Sequence, residues 1–143
     1  MNVHPIVGLN GALSSRFFFL FLAARDYREA QLIEVAHNVV QRSQFPILLQ
    51  KELDQGSSLA AAMRRTRNLV MASLIKRDLE GKAELHEVIT AISDFADFVI
   101  QTHLAALNAE MEEQHGQAIG EESGQVQQLI VLGMGKLGGY ELN

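Results

Sequence analysis

The residues best placed to do chemistry lie at the end of the chain, where Leu129-Ile130-Val131-Leu132 runs into Gly133-Met134-Gly135-Lys136-Leu137-Gly138-Gly139. An apolar strand followed by a glycine-rich turn brings backbone close to phosphate, because glycine admits positive φ and has no Cβ to block the approach. A helix after such a turn adds unpaired N–H donors and a partial positive charge. Gly133, Gly135 and Gly138 also satisfy the spacing of the dinucleotide fingerprint, a pattern that identifies little by itself. The acidic residue expected about 20 positions further on falls beyond Asn143. A Walker A loop is excluded, since Lys136 is followed by Leu137 instead of Ser or Thr and the glycine spacing differs. Lys136 reads equally as a phosphate contact and as an exposed turn lysine.

The other polar residues carry weaker signals. The five histidines supply no metal set: His86-Glu87 lacks the second histidine of a zincin motif, and His86 and His103 fall on different sides of one helix. Glu110, Glu112 and Glu113 read as a helix end meeting solvent. Arg64, Arg65, Arg67, Lys76 and Arg77 read as a solvated helix face, diluted by Asp78 and Glu80, with contact to a phosphate or a partner as the sharper alternative. Met63, Met71 and Met111 read as fillers in or near the core.

These residues need elements to hold them, and the bulk sequence bounds what those elements are. A length of 143 residues suits one compact domain, or a lobe of a larger one, with enough chain to bury a core. With 48% apolar residues, 20% charged and no Trp, the core falls to Leu, Ile, Val and Ala. A net charge of -5 argues against a dedicated nucleic-acid binder, which needs a basic surplus. The absence of cysteine excludes disulfides, thiolate zinc sites and cysteine nucleophiles, and it fits the cytoplasm. Phe17 to Ala24, the longest apolar run, is far shorter than the roughly 20 residues that span a bilayer, so no membrane helix is expected.

Hydrophobic spacing predicts a mainly α-helical chain. Residues 1–11, with Pro5, Gly8 and Gly11, read as a loose lead-in, and a first helix can start at Ser14 or Ser15 and reach Ala24. A second is expected over 27–41, and Ser43 with Pro46 suits the start of a short third ending near Leu53. Gly56 breaks the pattern, Ser57 or Ser58 can cap, and a long helix is predicted from Leu59 to Leu79 with Gly81 as its stop. The clearest pattern follows: Leu85, Val88, Ile89, Ile92, Ala96, Val99, His103, Ala106 and Leu107 recur at three- and four-residue steps. Two long helices joined by a Gly-Lys turn should pack antiparallel. The expected organisation is therefore a helical region over 12–115, a loop over 116–126, and over 127–143 one C-terminal β-strand, centred on 127–132, with its glycine turn. A lone strand needs partners, and its apolar edge makes self-association a reasonable expectation.

The wording of residues 133–143, Gly-Met-Gly-Lys-Leu-Gly-Gly-Tyr-Glu-Leu-Asn, resembles the signature of glutamine synthetase adenylyltransferases. The Arg-rich stretch Met63-Arg64-Arg65-Thr66-Arg67-Asn68, with Met71 and Arg77-Asp78-Leu79, is similar to the helix upstream of that motif. The resemblance implies the start of a nucleotidyltransferase fold in which a Ser-Asp-Ile-Asp type segment, carrying the metal-binding aspartates, follows within a few residues. It implies that Gly138 and Gly139 lie against nucleotide phosphates, with Lys136 as an electrostatic helper, and that the catalytic carboxylates lie beyond Asn143. It implies Mg2+ and ATP or ADP for the whole enzyme, with none held tightly here, and glutamine synthetase and a PII-type signalling protein as partners. The wording is closer to the N-terminal half of such enzymes, which removes AMP from a tyrosine of glutamine synthetase by phosphorolysis. The chain alone is then expected to be inactive. Two other readings stay open: a helical interaction module for glutamine synthetase or a PII-type protein, and the first strand and turn of a dinucleotide-binding domain.

Overall fold

The computed structural model describes residues 29–142. The expected lead-in over 1–11 and the helix ending at Ala24 lie outside them. The elements run α1 (Glu29–His37), a 3-10 turn (Arg42–Gln44), α2 (Phe45–Leu53), α3 (Leu59–Leu79), α4 (Leu85–His115) and a short α5 (Gly135–Gly138). The mainly helical class read from the sequence is what the described residues form.

Local chemistry sets most of these boundaries. Pro46 sits in the first turn of α2, where its missing N–H removes no helical bond. Of the two candidate serines, Ser58 caps α3 by accepting from the Ala61 N–H at 3.4 Å. Ser57 instead accepts from Arg65 Nη1 at 2.6 Å. Helix α3 ends as expected at Gly81, whose φ of 67° is left-handed. There the Lys82 N–H reaches the Arg77 carbonyl at 2.8 Å and the Gly81 N–H reaches that of Asp78 at 2.9 Å, the paired bonds of a Schellman stop.

Helix α1 stops at His37, short of the predicted residue 41, for a tertiary reason. The Ala36 carbonyl accepts from Arg77 Nη1 at 3.3 Å, and the Val40 N–H donates to Glu87 Oε1, also at 3.3 Å. Side chains of α3 and α4 thus take the backbone groups that a longer helix would have bonded internally.

The core lies where α1, α2 and α4 meet the central α3. Met63, Leu69, Val70 and Leu74 are buried on α3, as the spacing predicts, with Thr66 satisfied by the Ala62 carbonyl at 3.0 Å. Phe45, fully buried at the start of α2, meets Phe95 of α4 edge to face, with ring centroids 5.1 Å apart, and Phe98 at 5.8 Å. Only the N-terminal half of α4 is covered: Ala91, Ser93 and Phe95 are buried, whereas Leu85, Leu107 and Met111 are exposed. The apolar stripe read from the sequence therefore runs past the core at both ends, and Met111 is no core filler.

The C-terminal strand is the fold expectation that changes. No β-strand forms among the described residues; Ile119 and Val126 make one isolated antiparallel bridge, and residues 127–134 have neither helix nor ladder. Leu129, Ile130, Val131 and Leu132 are exposed. A strand exists through the partner that accepts its N–H groups; the Ala118 carbonyl accepts that of Gln127 at 2.8 Å, and residues 128–132 join no ladder.

The Arg77–Glu87 pair gives the fold a defined acid response. Hydrogen bonds from Arg77 hold the Glu87 carboxyl below its ordinary range against the opposing effect of burial, and the Val40 N–H adds to them. Lys76 lowers the Glu80 carboxyl in the same way. A depressed folded-state pKa contributes stability that is complete above the unfolded value of about 4.3 and is lost as pH falls through the folded one. Thermal unfolding is expected to show Tm declining below roughly pH 4.5. Glu87→Gln should flatten that decline and cost about 3 kcal/mol at pH 7; an unchanged Tm at neutral pH would remove the pair as a stabilising element. Ser93 is fully buried and its hydroxyl has no hydrogen-bond partner. Ser93→Ala should accordingly hold or raise stability in denaturant titrations, by up to about 1 kcal/mol.

Candidate functional site

The glycine turn is built from close backbone approaches. Met134 is extended at φ -127° and ψ 162°, Gly135 turns the chain at φ 59°, and α5 then closes with the Gly139 N–H on the Gly135 carbonyl at 2.9 Å. Gly138 packs directly on Gly133: a Cβ at 138 would lie 2.5 Å from the Gly133 carbonyl oxygen and 2.9 Å from its carbon. A Cβ at Gly139 would stand 3.3 Å from the Gly135 oxygen. The need for glycine at 138 is thus met inside the chain, where the lead-in crosses the helical turn.

The turn ends in the pattern that ends α3. The Glu141 N–H donates to the Lys136 carbonyl at 2.8 Å, and the Tyr140 N–H to that of Leu137 at 3.3 Å. Tyr140 holds the left-handed position, with φ 57°, where a side chain costs about 1 kcal/mol or more relative to glycine.

From that position the Tyr140 hydroxyl donates to Asp94 Oδ1 on α4 at 2.9 Å. Arg42, from the 3-10 turn, hydrogen-bonds Asp97 and lies 3.8 Å from Asp94 Oδ1, while its Nη2 donates to Gln101 Oε1 at 3.0 Å. The Asp94 hydrogen bond pushes the Tyr140 phenol above its ordinary range, and Asp97 does the same for Arg42. A cleft of about 290 Å³ separates α4 from the turn, lined by Asp97, Ile100, Val131, Gly133, Leu137, Gly138 and Tyr140. The Asp97 carboxylate disfavours an anion inside this cleft, and Lys136 is exposed on the turn.

Of the site residues expected from the sequence, Gly138, Gly139 and Lys136 lie together on this one turn. Tyr140, Asp94 and Arg42 carried no sequence signal beyond their types, although a non-glycine residue directly after a glycine pair at a helix stop is a feature that could have drawn notice. The basic stretch of α3 divides. Arg64 and Arg67 are exposed, as a solvated face requires, but Arg77 is buried, Lys76 pairs with Glu80, and Arg65 lies 3.6 Å from Glu52 Oε2. His103 Nδ1 sits 2.9 Å from the Val99 carbonyl. Among the described residues no three His, Asp or Glu side chains converge to hold a metal ion, so these residues by themselves do not fit a metal site. Nor is any helix among them long and apolar enough to cross a membrane.

Comparison with known proteins agrees over most of the chain. The family model described as glutamate-ammonia ligase adenylyltransferase matches residues 20–143. A relative from Chromobacterium violaceum, named bifunctional glutamine synthetase adenylyltransferase/adenylyl-removing enzyme, is 42% identical over 130 residues, covering 90% of this chain and 14% of the relative. Its namesake from Nitrosomonas eutropha is 36% identical over 134 residues, with the same coverage of 90% and 14%. That from Ralstonia nicotianae is 50% identical over 86 residues, 60% of this chain and 9% of the relative. The chain thus spans between 9% and 14% of the length of these relatives. No solved structure matches it.

The Gly133–Gly138 contact predicts a local effect. Gly138→Ala should break the turn, seen as large amide shift changes at residues 133–141, and leave the stability of the helical core within about 0.5 kcal/mol. An alanine variant with parental spectra would mean that the close approach is not made in solution.

Proposed function

The chain belongs to the glutamate-ammonia ligase adenylyltransferase family, and from that premise we propose that it is a segment of an enzyme that adds and removes AMP on a tyrosine of glutamine synthetase. The reading assigns it to the deadenylylating half, on the wording of residues 133–143, with 127–143 as the start of a nucleotidyltransferase fold and 12–115 as the helical region before it. In this reading the backbone of Gly138 and Gly139 approaches the phosphates of ATP or ADP and Lys136 adds a positive charge outside the turn. Mg2+ would be held by carboxylates that the described residues do not supply, and it would stabilise the entering and leaving oxygens in the whole enzyme. Cytoplasmic location and a PII-type regulatory partner belong to the same proposal, without nucleic-acid or membrane contact.

The observation that carries the reading is the glycine turn: a compact loop with one exposed lysine, held by backbone contacts, within the residues that the family model matches. A second reading, a helical interaction module for glutamine synthetase or the PII-type protein, draws support from the exposed Leu107 and Met111 on the uncovered half of α4. Self-association through residues 129–132, four exposed apolar side chains in a row, is a related possibility that gel filtration tests by a dimer peak. The dinucleotide-domain reading is disfavoured by the family match.

Titration with ADP or inorganic phosphate is expected to move the amides of residues 133–139, with affinity on the order of millimolar for a turn without metal. Shifts centred on Arg64 and Arg67 would place the anion elsewhere and overturn the assignment. Incubated with adenylylated glutamine synthetase, phosphate and Mg2+, the 143-residue chain should release no ADP, the product of phosphorolysis; release would show that it carries a complete catalytic set.

A further inference from the structure

Two observations meet at Tyr140, which neither the family reading nor the glycine pattern assigns to any role. The first concerns backbone. Helix α3 and the glycine turn end in the same pair of hydrogen bonds, but the left-handed position is Gly81 in one and Tyr140 in the other. Tyr140 is the one non-glycine residue with positive φ among the described residues, whereas Gly56, Gly81, Gly116 and Gly124 serve the other left-handed positions outside the turn. The glycine pair at 138 and 139 stands just short of this position. A glycine at 140 would close the turn with less strain.

The second observation is what the side chain does. Its hydroxyl donates at 2.9 Å to Asp94, 46 residues away on the covered half of α4. Arg42 lies 3.8 Å from the same carboxylate oxygen and hydrogen-bonds Asp97, so the acceptor also pairs with an element that packs against the core. The ring also forms one wall of the cleft between α4 and the turn. A strained residue persists where its surroundings over-determine it, and here the determining contact joins two otherwise separate parts of the chain.

We infer that Tyr140 is a positioning residue: its hydrogen bond to Asp94, braced by Arg42, docks the glycine turn on the helical core so that the two move as one body. The consequence for function rests on the proposal that the turn binds phosphate. Under that reading, the docked turn presents its amides already ordered, and a ligand need not supply the ordering entropy.

The test uses the 143-residue chain and two readouts, 15N relaxation of the 135–141 amides and titration with inorganic phosphate. Tyr140→Phe keeps the ring and removes the hydroxyl; Tyr140→Gly relieves the backbone and removes the tether; Asp94→Ala removes the acceptor. All three are expected to lower the order parameters of the turn towards or below about 0.6 with α3 unchanged. They should weaken phosphate binding about two- to tenfold, the factor one hydrogen bond supplies. The double variant Tyr140→Phe with Asp94→Ala should be no worse than either alone, since both remove one interaction. A turn as rigid in Tyr140→Phe as in the parent overturns the inference, and so does a Tyr140→Gly turn that stays docked. If the parent turn ignores phosphate while Tyr140→Phe loosens it, the positioning role stands and the phosphate reading falls; parental phosphate binding with no loosening in the variant gives the reverse.

Discussion

Arg77 is the charge around which the helices are arranged. Its guanidinium is buried and spends its donors on four acceptors from three parts of the chain: both Glu87 oxygens at 2.7 and 3.0 Å, the Ala36 carbonyl at 3.3 Å and the Lys82 carbonyl at 3.1 Å. Removing an arginine from water is unfavourable unless nearly every donor is matched, so each of these acceptors must stay in place for the charge to remain buried. The end of α1, the turn after α3 and the first turn of α4 are thereby fixed to one group. Glu87 extends the constraint, because Oε1, which accepts from Arg77 Nε, also accepts the Val40 N–H. Apolar packing of α1 and α2 on α3 supplies the larger share of stability, but it is non-directional; the ion pair specifies where the chain leaves α1 and where α4 begins.

That specification travels along α4 to the glycine turn. With the first turn of α4 held by Arg77, Phe95 and Phe98 meet Phe45 at the start of α2, and Asp94 and Asp97, on the neighbouring face, come within reach of Arg42 just before it. The same carboxylate then accepts the Tyr140 hydroxyl. The site is therefore connected to the core by a short series of polar contacts running from the 3-10 turn through α4 to Tyr140. An exposed hydrogen bond is individually weak. It gains consequence here because the segment leading into the turn, 127–134, makes no ladder that could hold the turn independently.

What the sequence made legible was the part governed by local rules. Ser58, Pro46 and Gly81 act where caps, first-turn prolines and left-handed stops are known to act, and the spacing of Met63, Leu69, Val70 and Leu74 placed the buried face of α3. The glycine turn was legible as a motif for the same reason. What escaped was long-range. Arg77 read as part of a solvated helix face because it belongs to a basic stretch diluted by Asp78 and Glu80, and a sequence does not reveal that Glu87, ten positions on, folds back to meet it. The stop of α1 at His37 depends on that same pair. Asp94 and Arg42 lie 46 and 98 positions from Tyr140 in the numbering, and no periodicity links them. Leu85, Leu107 and Met111 continue an apolar stripe faithfully, but a stripe records only the possibility of a neighbour.

The apolar run 129–132 shows the limit of pattern from the other side. Four consecutive branched aliphatic residues have high strand propensity, yet propensity of this kind expresses fit to a pleated surface with neighbours, and the described chain offers no such surface. Its backbone therefore forms no ladder while the turn after it keeps a defined shape. The shape must then come from contacts within the turn, where Gly138 sits on Gly133, and from its attachment to α4. The turn thus keeps its form without a ladder beside it, because its own backbone contacts close it and one side-chain hydrogen bond, from Tyr140 to Asp94, ties it to α4.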